Sequence, residues 1–223
     1  MICSHAGDGD SWLARHRSQR PVFACILSFT DTGLIPHISS AGTTPQARQY
    51  TALADGEVLA TGRAQRFPLP PLPAGISPAI ISRGILTGLN LPCHLFSTGL
   101  PAPIPFSHIA LPMVVAQAVN TGRAMSLSQA EALLAAGKYW GRKLARAGQY
   151  LVIGECVAGG TTTAQAVLTG LGYSVAGQMS SSQRNANHQQ KQTLVDQGIK
   201  RCQQRQKNEP PQDIGKAIPA AME

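Results

Sequence analysis

Charged and aromatic residues are scarce in this chain of 223 residues. Asp, Glu, Lys and Arg together supply 13% of the sequence, and Phe, Trp and Tyr supply 5%. A coiled coil or a disordered tail would need many more charges, and the 43% of hydrophobic residues indicates a folded chain with one substantial core. The 22 glycines and 16 prolines point to a loop-rich, enzyme-like composition.

Paired cysteines and membrane signals are also missing. The five cysteines are scattered and form no Cys-x-x-Cys motif, which argues against a disulfide framework and a zinc site. The first 20 residues have no apolar core of signal-peptide type. Five prolines break the uncharged stretch between Arg83 and Arg123 before about 20 helical residues accumulate. We expect a soluble, cytoplasmic protein with reduced thiols and neither a metal nor a membrane partner.

Positive charge exceeds negative charge, and the formal net charge is +8 at pH 7. A basic cluster near the carboxyl end contains a single acid, Asp196. It fits either a solvated face or a nucleic-acid surface, but no aromatic residues interleave the charges and no zinc-finger or basic-zipper spacing appears. We expect no nucleic-acid partner, since an anionic small molecule explains one or two of these charges equally well. The cluster consists of Arg184, Lys191, Lys200, Arg201, Arg205 and Lys207.

Three apolar runs end in small polar loops. They are PVFACILSF (21–29), LPCHLF (91–96) and YLVIG (150–154). Each is typical of a buried parallel strand that delivers a loop to one edge of a sheet. Ligands bind at that carboxyl edge in open α/β sheets. The sequence therefore predicts that the strand ends converge on one crevice, with Ser97 and Gly159 at the same edge.

Helical patterns separate and follow these strands. The segment 126–148 predicts a scaffold helix with Ser128 and Glu131 at capping-box spacing. Apolar positions between 161 and 171 predict a second helix closed by glycine, and a third follows the turn that begins at Met179. Between these two helices we expect a short strand, 173–176. Beyond residue 200 the apolar periodicity fades, and we interpret 201–223 as a tail.

The turn GECVAGGTTT (154–163) is the strongest local signal for a ligand. Its spacing is that of a nucleotide P-loop, but Gly160 stands where the lysine should be. The backbone N–H groups of Gly159, Gly160, Thr161 and Thr162 can point at an anion. The alternative is a tight turn capped by threonine. Glu155 favours a ligand site, because a carboxylate there repels a triphosphate but suits a proton acceptor or a hydrogen-bond partner for a heterocycle.

A second turn offers hydroxyl groups and a positive charge. Ser181 and Ser182 precede a helix whose first turns carry His188 and Lys191. Serines before a helix are often only caps, and a single lysine is often solvated. Taken together, the two turns could hold a phosphomonoester of about −2 charge between two helix starts, with Lys191 as its point-charge partner.

Four ordered motifs resemble the archaeal and cyanobacterial branch of the nicotinate-nucleotide:dimethylbenzimidazole phosphoribosyltransferases, a family of cobalamin assembly. They are GECVAGGTTTAQAVLTGLGY, SSSQRNANHQQKQTLV, PLPPLPAGISPAIISRGIL, and IPHISSAGTTPQARQYTALADGEVL after FTDTGL, within roughly residues 20–200. The resemblance implies an α/β, Rossmann-like domain at 21–200, with a mainly parallel sheet flanked by helices, after an extension at 1–20.

The resemblance also implies a reaction. The family, usually homodimeric, transfers phosphoribose from nicotinate mononucleotide to a benzimidazole-type base, giving nicotinate and an α-ribazole phosphate. No cofactor is implied, and benzimidazole, adenine and phenolic acceptors all stay open.

Site residues follow from the same resemblance. The family's phosphate loop matches Gly159, Gly160, Thr161 and Thr162, and its acid at the strand end matches Glu155. The lysine beside the substrate phosphate matches Lys191. Ser181, Ser182 and His188 are candidate lining residues. Thr44, in the loop 42–45, either lines the site or caps the next helix.

Relatives in this family continue well beyond the length of this chain. In the bacterial branch the principal catalytic glutamate lies in that further part, which also holds more sheet and a glycine-rich segment. We expect this chain to lack that part, either because it is shortened or because it has diverged after about Gln203. The expectation is nucleotide binding with weak or no transfer, and the alternative function is a non-catalytic nucleotide-binding or phosphate-binding module.

Overall fold

Parallel strands form the sheet at the centre of the fold. The computed structural model describes residues 6–69, 77–147, 150–183 and 185–208. The strands are β1 (Val22–Ser28), β2 (Cys93–Thr98), β3 (Ile109–Ala110) and β4 (Leu151–Cys156), in the order β3-β2-β1-β4. The three predicted strands are present, and the short β3 has no counterpart in the sequence prediction.

The register of the sheet brings the strand ends together. Ser28 of β1 pairs with Thr98 of β2, and Leu27 of β1 pairs with Cys156 of β4. All pairs are parallel. The carboxyl ends of β1, β2 and β4 therefore meet at one edge, as predicted, and the loops that carry Gly159 and Gly99 leave from that edge.

Helices cover both faces of the sheet. On one face, Leu27 and Leu95 pack with Leu53 and Leu86. On the other, the Trp140 ring meets Phe96 edge to face, with ring centroids 5.4 Å apart. This arrangement confirms the predicted α/β class. The helices are α1 (Ala6–His16), α2 (Thr51–Thr61), α3 (Pro78–Gly88), α4 (Leu127–Ala147), α5 (Gly160–Gly170) and α6 (His188–Asn208).

The capping box of α4 lies two residues earlier than predicted. The backbone N–H of Ser126 donates to Gln129 Oε1 at 2.8 Å, and the backbone N–H of Gln129 donates to Ser126 Oγ at 3.3 Å. Ser128 is already inside the helix. Both serines stand three residues before a residue that can complete the motif, so spacing alone does not choose between them.

The predicted strand 173–176 is absent, because its first residue belongs to the end of α5. The backbone N–H of Tyr173 donates to Leu168 O at 2.9 Å, and that of Gly172 donates to Thr169 O at 3.0 Å. Gly172 has a φ of 91°. These features form a Schellman motif, in which the backbone N–H groups of residues 172 and 173 donate to the last carbonyls of the helix. The same N–H groups are then not available to pair with a strand.

Helix α6 runs on to Asn208, across the predicted start of the tail at residue 201. Its second half is attached through polar contacts. Arg201 Nη1 donates to Asn120 O at 2.6 Å, and Arg205 Nη1 donates to Gly122 O at 2.7 Å. Contacts of this kind do not require apolar residues at helical spacing, so the sequence pattern did not predict this part of the helix. The division into 1–20, 21–200 and 201–223 stays a prediction.

The uncharged stretch between Arg83 and Arg123 contains the end of α3, then β2, β3 and their connecting loops. The hydroxyl of Thr98 joins the end of β2 to the segment after β3. It donates to Pro112 O at 2.7 Å and accepts from the backbone N–H of Val114 at 3.3 Å. Within the described ranges, no helix combines the length and the hydropathy that crossing a membrane requires.

Gly56 lets α2 approach the sheet, and this contact is testable. A Cβ atom on Gly56 would lie 2.5 Å from Leu27 Cδ1 and 2.6 Å from Phe106 Cζ. We expect Gly56→Ala to lower the free energy of unfolding by about 1–3 kcal/mol through overpacking. Urea denaturation measures the change.

The matched control is Gly84→Ala in α3, where a Cβ atom would meet nothing within 4 Å. We expect this substitution to raise the free energy of unfolding by up to about 1 kcal/mol, the usual gain of alanine over glycine in a helix. Equal effects of the two substitutions would contradict the proposed close contact between α2 and β1.

Candidate functional site

Two loops touch at the carboxyl edge of the sheet. Gly159, which follows β4, has a φ of 83°, a conformation that favours glycine. A Cβ atom on Gly159 would lie 3.3 Å from Gly33 N, and one on Gly33 would lie 3.0 Å from Ala158 O. Gly33 lies in the 3₁₀ turn Asp31–Leu34 after β1. The loops after β1 and β4 are therefore packed backbone against backbone, with no room for a side chain between them.

Helix α5 starts at this contact and directs its amino terminus toward the edge of the sheet. The backbone N–H of Gly160 donates to Val157 O at 3.2 Å, and that of Thr162 donates to Gly159 O at 3.0 Å. Within the described parts of the chain, no acceptor receives the backbone N–H of Thr161. The predicted row of free amides is thus smaller than expected, but the positive end of the helix dipole remains.

Lys191 lies against the same helix start, although it is 30 residues away from Thr161 in the sequence. Its Nζ donates to Thr161 Oγ1 at 3.0 Å and to Ser180 O. The side chain is fully buried. Burial lowers the pKa of Lys191, and no charged neighbour contributes to the shift. The structure therefore brings the two predicted turns together around a buried ammonium group that contacts no carboxylate among the described residues.

The first turn of α5 contains another buried polar atom. Thr162 is fully buried, and its Oγ1 has no hydrogen-bond partner among the residues described. Buried hydroxyl groups in folded proteins nearly always find a partner. The first turn of α5 thus combines a helix start, a buried cation against Thr161 and an unpartnered hydroxyl on Thr162, and an anion interacts favourably with each of these groups.

Glu155 lies at the same helix start. Its two carboxylate oxygens lie 3.0 Å and 3.1 Å from the position that a Cβ atom on Gly160 would occupy. The side chain reaches solvent, but partial loss of water around the carboxylate raises its pKa above 4.5. The first turn of α5 therefore has a carboxylate against Gly160 and an ammonium group against Thr161.

The candidate lining residues differ in what they contact. Ser181 Oγ donates to Asn187 Oδ1 at 2.8 Å, and Ser182 Oγ accepts from the backbone N–H of Ser40 at 3.0 Å. The Ser182 hydroxyl thus holds the second turn against the loop after β1, whereas the Ser181 hydroxyl ties the turn to the start of α6. His188 begins α6, and its Nδ1 is buried without a partner in the described ranges.

The loop 42–45 caps the next helical turn, the second of the two alternatives. The backbone N–H of Ala47 donates to Thr44 Oγ1 at 3.0 Å, at the start of the 3₁₀ turn Ala47–Tyr50. Sequence reasoning missed Arg48 in that turn and Gly33 in the loop after β1. Both lie in quoted motifs, FTDTGL and GTTPQARQYT, whose contribution to the site could not be assigned from spacing.

Comparisons with known proteins agree with this architecture. Residues 112–219 match the model of a phosphoribosyltransferase family, DBI_PRT. The chain is 50% identical over 195 residues to a UPF0284 protein of Microcystis aeruginosa and 49% identical over 210 residues to a UPF0284 protein of a Cyanothece species. These matches cover 86% and 93% of this chain but 54% and 57% of the relatives. The chain thus spans about half the length of the curated relatives it matches.

A solved structure shares the fold. Nicotinate-nucleotide-dimethylbenzimidazole phosphoribosyltransferase of Thermus thermophilus aligns with a TM-score of 0.53 and 18% sequence identity. The alignment covers 86% of this chain and 50% of that one. At this identity the likeness concerns the fold alone.

Lys191 gives a stability prediction that needs no ligand. A buried ammonium without a carboxylate is costly, and methionine has similar length without charge. At neutral pH we expect the free energy of unfolding of Lys191→Met to equal that of the wild type or to exceed it by up to about 2 kcal/mol. Denaturant titration of the unliganded protein measures it.

The pH dependence follows from the lowered pKa of Lys191. Between its folded pKa and the ordinary value of 10.5, the unfolded chain binds more protons, so wild-type stability rises with pH. The stability advantage of Lys191→Met should therefore shrink toward alkaline pH. A variant less stable than the wild type by more than about 2 kcal/mol would show instead that the lysine is a structural residue.

Proposed function

We propose that this chain is a member of the phosphoribosyltransferase family whose model matches residues 112–219, and that it acts on nicotinate mononucleotide. It transfers the phosphoribosyl group to a benzimidazole-type base and releases nicotinate and an α-ribazole phosphate. In the family this reaction supplies the nucleotide loop of cobalamin. A homodimer in the cytoplasm belongs to the same proposal.

The observation that carries the proposal is the buried Lys191 at the start of α5. Its ammonium group contacts only neutral oxygens, those of Thr161 and Ser180, in the described part of the chain. A dianionic phosphomonoester would supply the missing countercharge. It would also accept from the backbone N–H of Thr161 and from the unpartnered hydroxyl of Thr162.

The negative side of the site supports the same substrate. Nicotinate mononucleotide carries a cationic pyridinium ring at one end of its ribose and a phosphate at the other. Glu155 and Lys191 offer the opposite charges at the first turn of α5, against Gly160 and Thr161 respectively. A triphosphate would meet the carboxylate of Glu155 and be repelled by it.

The proposed reaction is a substitution at ribose C1. A ring nitrogen of the acceptor forms a bond to C1, and the bond from C1 to the pyridinium nitrogen breaks. Its electron pair neutralises the departing ring, and attack from the opposite face inverts the configuration from β to α. The proton on the acceptor's other ring nitrogen passes to a carboxylate. Glu155 is the candidate acceptor, since its raised pKa brings it nearer to the range useful for proton transfer.

The competing function is a module that binds the nucleotide without turning it over. It uses the same phosphate contacts and differs only in the chemical step. Incubating the chain with nicotinate mononucleotide and 5,6-dimethylbenzimidazole, and following α-ribazole phosphate by chromatography, separates the two. Binding without product would favour the module.

Nucleotide binding should depend on Lys191. We expect the wild-type chain to bind nicotinate mononucleotide in calorimetry. Lys191→Met should weaken that binding about 10- to 100-fold, the usual value of a hydrogen bond to a charged group. Lys200→Met is the matched control, because Lys200 lies exposed on the same helix. Equal losses in the two variants would exclude the phosphate role of Lys191.

Transfer should depend on the ionisation of Glu155. Because burial raises its pKa above 4.5, the rate should fall as the pH drops through that raised value and the carboxylate takes up a proton. Glu155→Gln should flatten this limb of the pH profile and lower the rate about 10²- to 10⁴-fold. The circular dichroism spectrum of the variant at neutral pH serves as the control for folding. An unchanged pH profile in the variant would assign the proton to another group.

A further inference from the structure

A second buried cation lies behind the site. Arg48, in the 3₁₀ turn Ala47–Tyr50, is only 5% exposed. Burial lowers its pKa, and no acid contributes to the shift. Arginine is seldom buried in folded proteins without a partner of opposite charge. Stability alone therefore does not explain why Arg48 is buried next to the candidate ligand site.

The guanidinium of Arg48 contacts the loop after β1. Its Nη1 donates to Gly33 O at 2.9 Å and to Ile35 O at 2.8 Å. Its Nε is buried without a partner in the ranges described. The two carbonyls lie at the end of the 3₁₀ turn Asp31–Leu34, where the turn itself leaves acceptors unsatisfied. Arg48 thus replaces the hydrogen bonds that a longer helix would have supplied.

The surrounding sequence is built to seat this side chain. A Cβ atom on Gly42 would lie 2.7 Å from Arg48 Cγ, so any larger residue there would displace the arginine. Thr44 caps the turn that carries Arg48, as described above. The segment 42–48 therefore holds the guanidinium of Arg48 against the carbonyls of the loop after β1.

The loop held by Arg48 connects the two halves of the phosphate site. On one side, Gly33 packs against Ala158 and Gly159. On the other side, the turn that leads into α6 grips the same loop: Gln190 Nε2 donates to Pro36 O at 2.7 Å. Asn187 Nδ2 donates to the carbonyl oxygens of residues 37 and 38 at 3.0 Å and 3.2 Å.

The segment 36–38, which these hydrogen bonds hold, also contains a strained backbone conformation. His37 has a φ of 59°, a left-handed conformation that costs a non-glycine residue energy. Its carbonyl accepts from both Asn187 and Gln183. A strained residue persists only where its surroundings fix it firmly, which the clamps from Arg48 and from the start of α6 achieve together.

We propose that Arg48 is a positioning residue for phosphate binding. By holding the carbonyls of Gly33 and Ile35, it fixes the loop that packs against the start of α5 on one side and against the turn leading to Lys191 on the other. It contacts no substrate itself. This inference rests on the proposed function for its ligand, but its geometric part concerns the unliganded protein.

The test compares Arg48→Gln with Arg83→Gln. Arg83 is a matched control, because its Nη1 also donates to two backbone carbonyls, Leu59 O at 2.8 Å and Ala60 O at 3.4 Å, outside the site. Hydrogen exchange of the unliganded variants is measured at residues 158–162 and 188–191. Calorimetry then measures affinity for nicotinate mononucleotide. We expect Arg48→Gln, and not Arg83→Gln, to speed exchange in both segments and to weaken binding at least 10-fold.

Arg48→Lys completes the series and also replaces the glutamine variant if that variant does not fold. Lysine keeps the charge but not the fork of donors, so we expect exchange and affinity between wild type and Arg48→Gln. Unchanged exchange in the two segments would overturn the proposal, whatever the affinity. Equal affinity in the Arg48 and Arg83 variants would overturn it as well. A wild-type chain that does not bind nicotinate mononucleotide refutes the proposed function, whereas the exchange measurement still tests Arg48.

Discussion

The buried ammonium of Lys191 is the constraint around which the site is arranged. The ammonium group is shielded from water and contacts no carboxylate among the described residues. Its polar contacts are therefore limited to neutral oxygens or dipoles that tolerate a cation. The backbone carbonyl of Ser180 and the hydroxyl of Thr161 fill that need only in part. The start of α5 is itself electropositive, which worsens the position of the ammonium group while no anion is present. A phosphate bound here, as proposed, would supply the countercharge that the described residues do not give to Lys191.

Backbone contacts hold this arrangement in place. The loops after β1 and β4 touch through Gly33 and Gly159, and the loop after β1 is tied in turn to the start of α6. Three segments far apart in the sequence are therefore joined through main-chain atoms, by close packing at the two glycines and by hydrogen bonds to the carbonyls of the loop after β1. Such contacts depend little on the identity of exposed side chains, which explains why the motifs around them are rich in glycine, serine, threonine and asparagine rather than in charge.

The sequence predicts the parts of the fold that depend on local pattern. The apolar runs give β1, β2 and β4, and the glycine turn between a strand and a helix gives the start of α5. It also pairs Glu155 and Lys191 with that turn, through motif resemblance. Features that depend on partners distant in the chain are not readable in this way. Arg48 looks like a surface cation until Gly33 and Ile35 are folded against it, and Tyr173 looks like a strand residue until its amide closes α5.

Binding of the proposed anionic ligand beside Lys191 would link occupancy of the site to the lifetime of the protein. A ligand that binds only the folded chain adds RT ln(1 + [L]/Kd) to its stability, about 2.7 kcal/mol at a hundredfold excess over Kd. In a protein of marginal stability this difference changes the unfolded fraction, on which proteases act, by roughly 100-fold. Copies that have run out of their anionic ligand would therefore be cleared faster than loaded ones, so the supply of that ligand would regulate the abundance of the protein without any dedicated regulatory site.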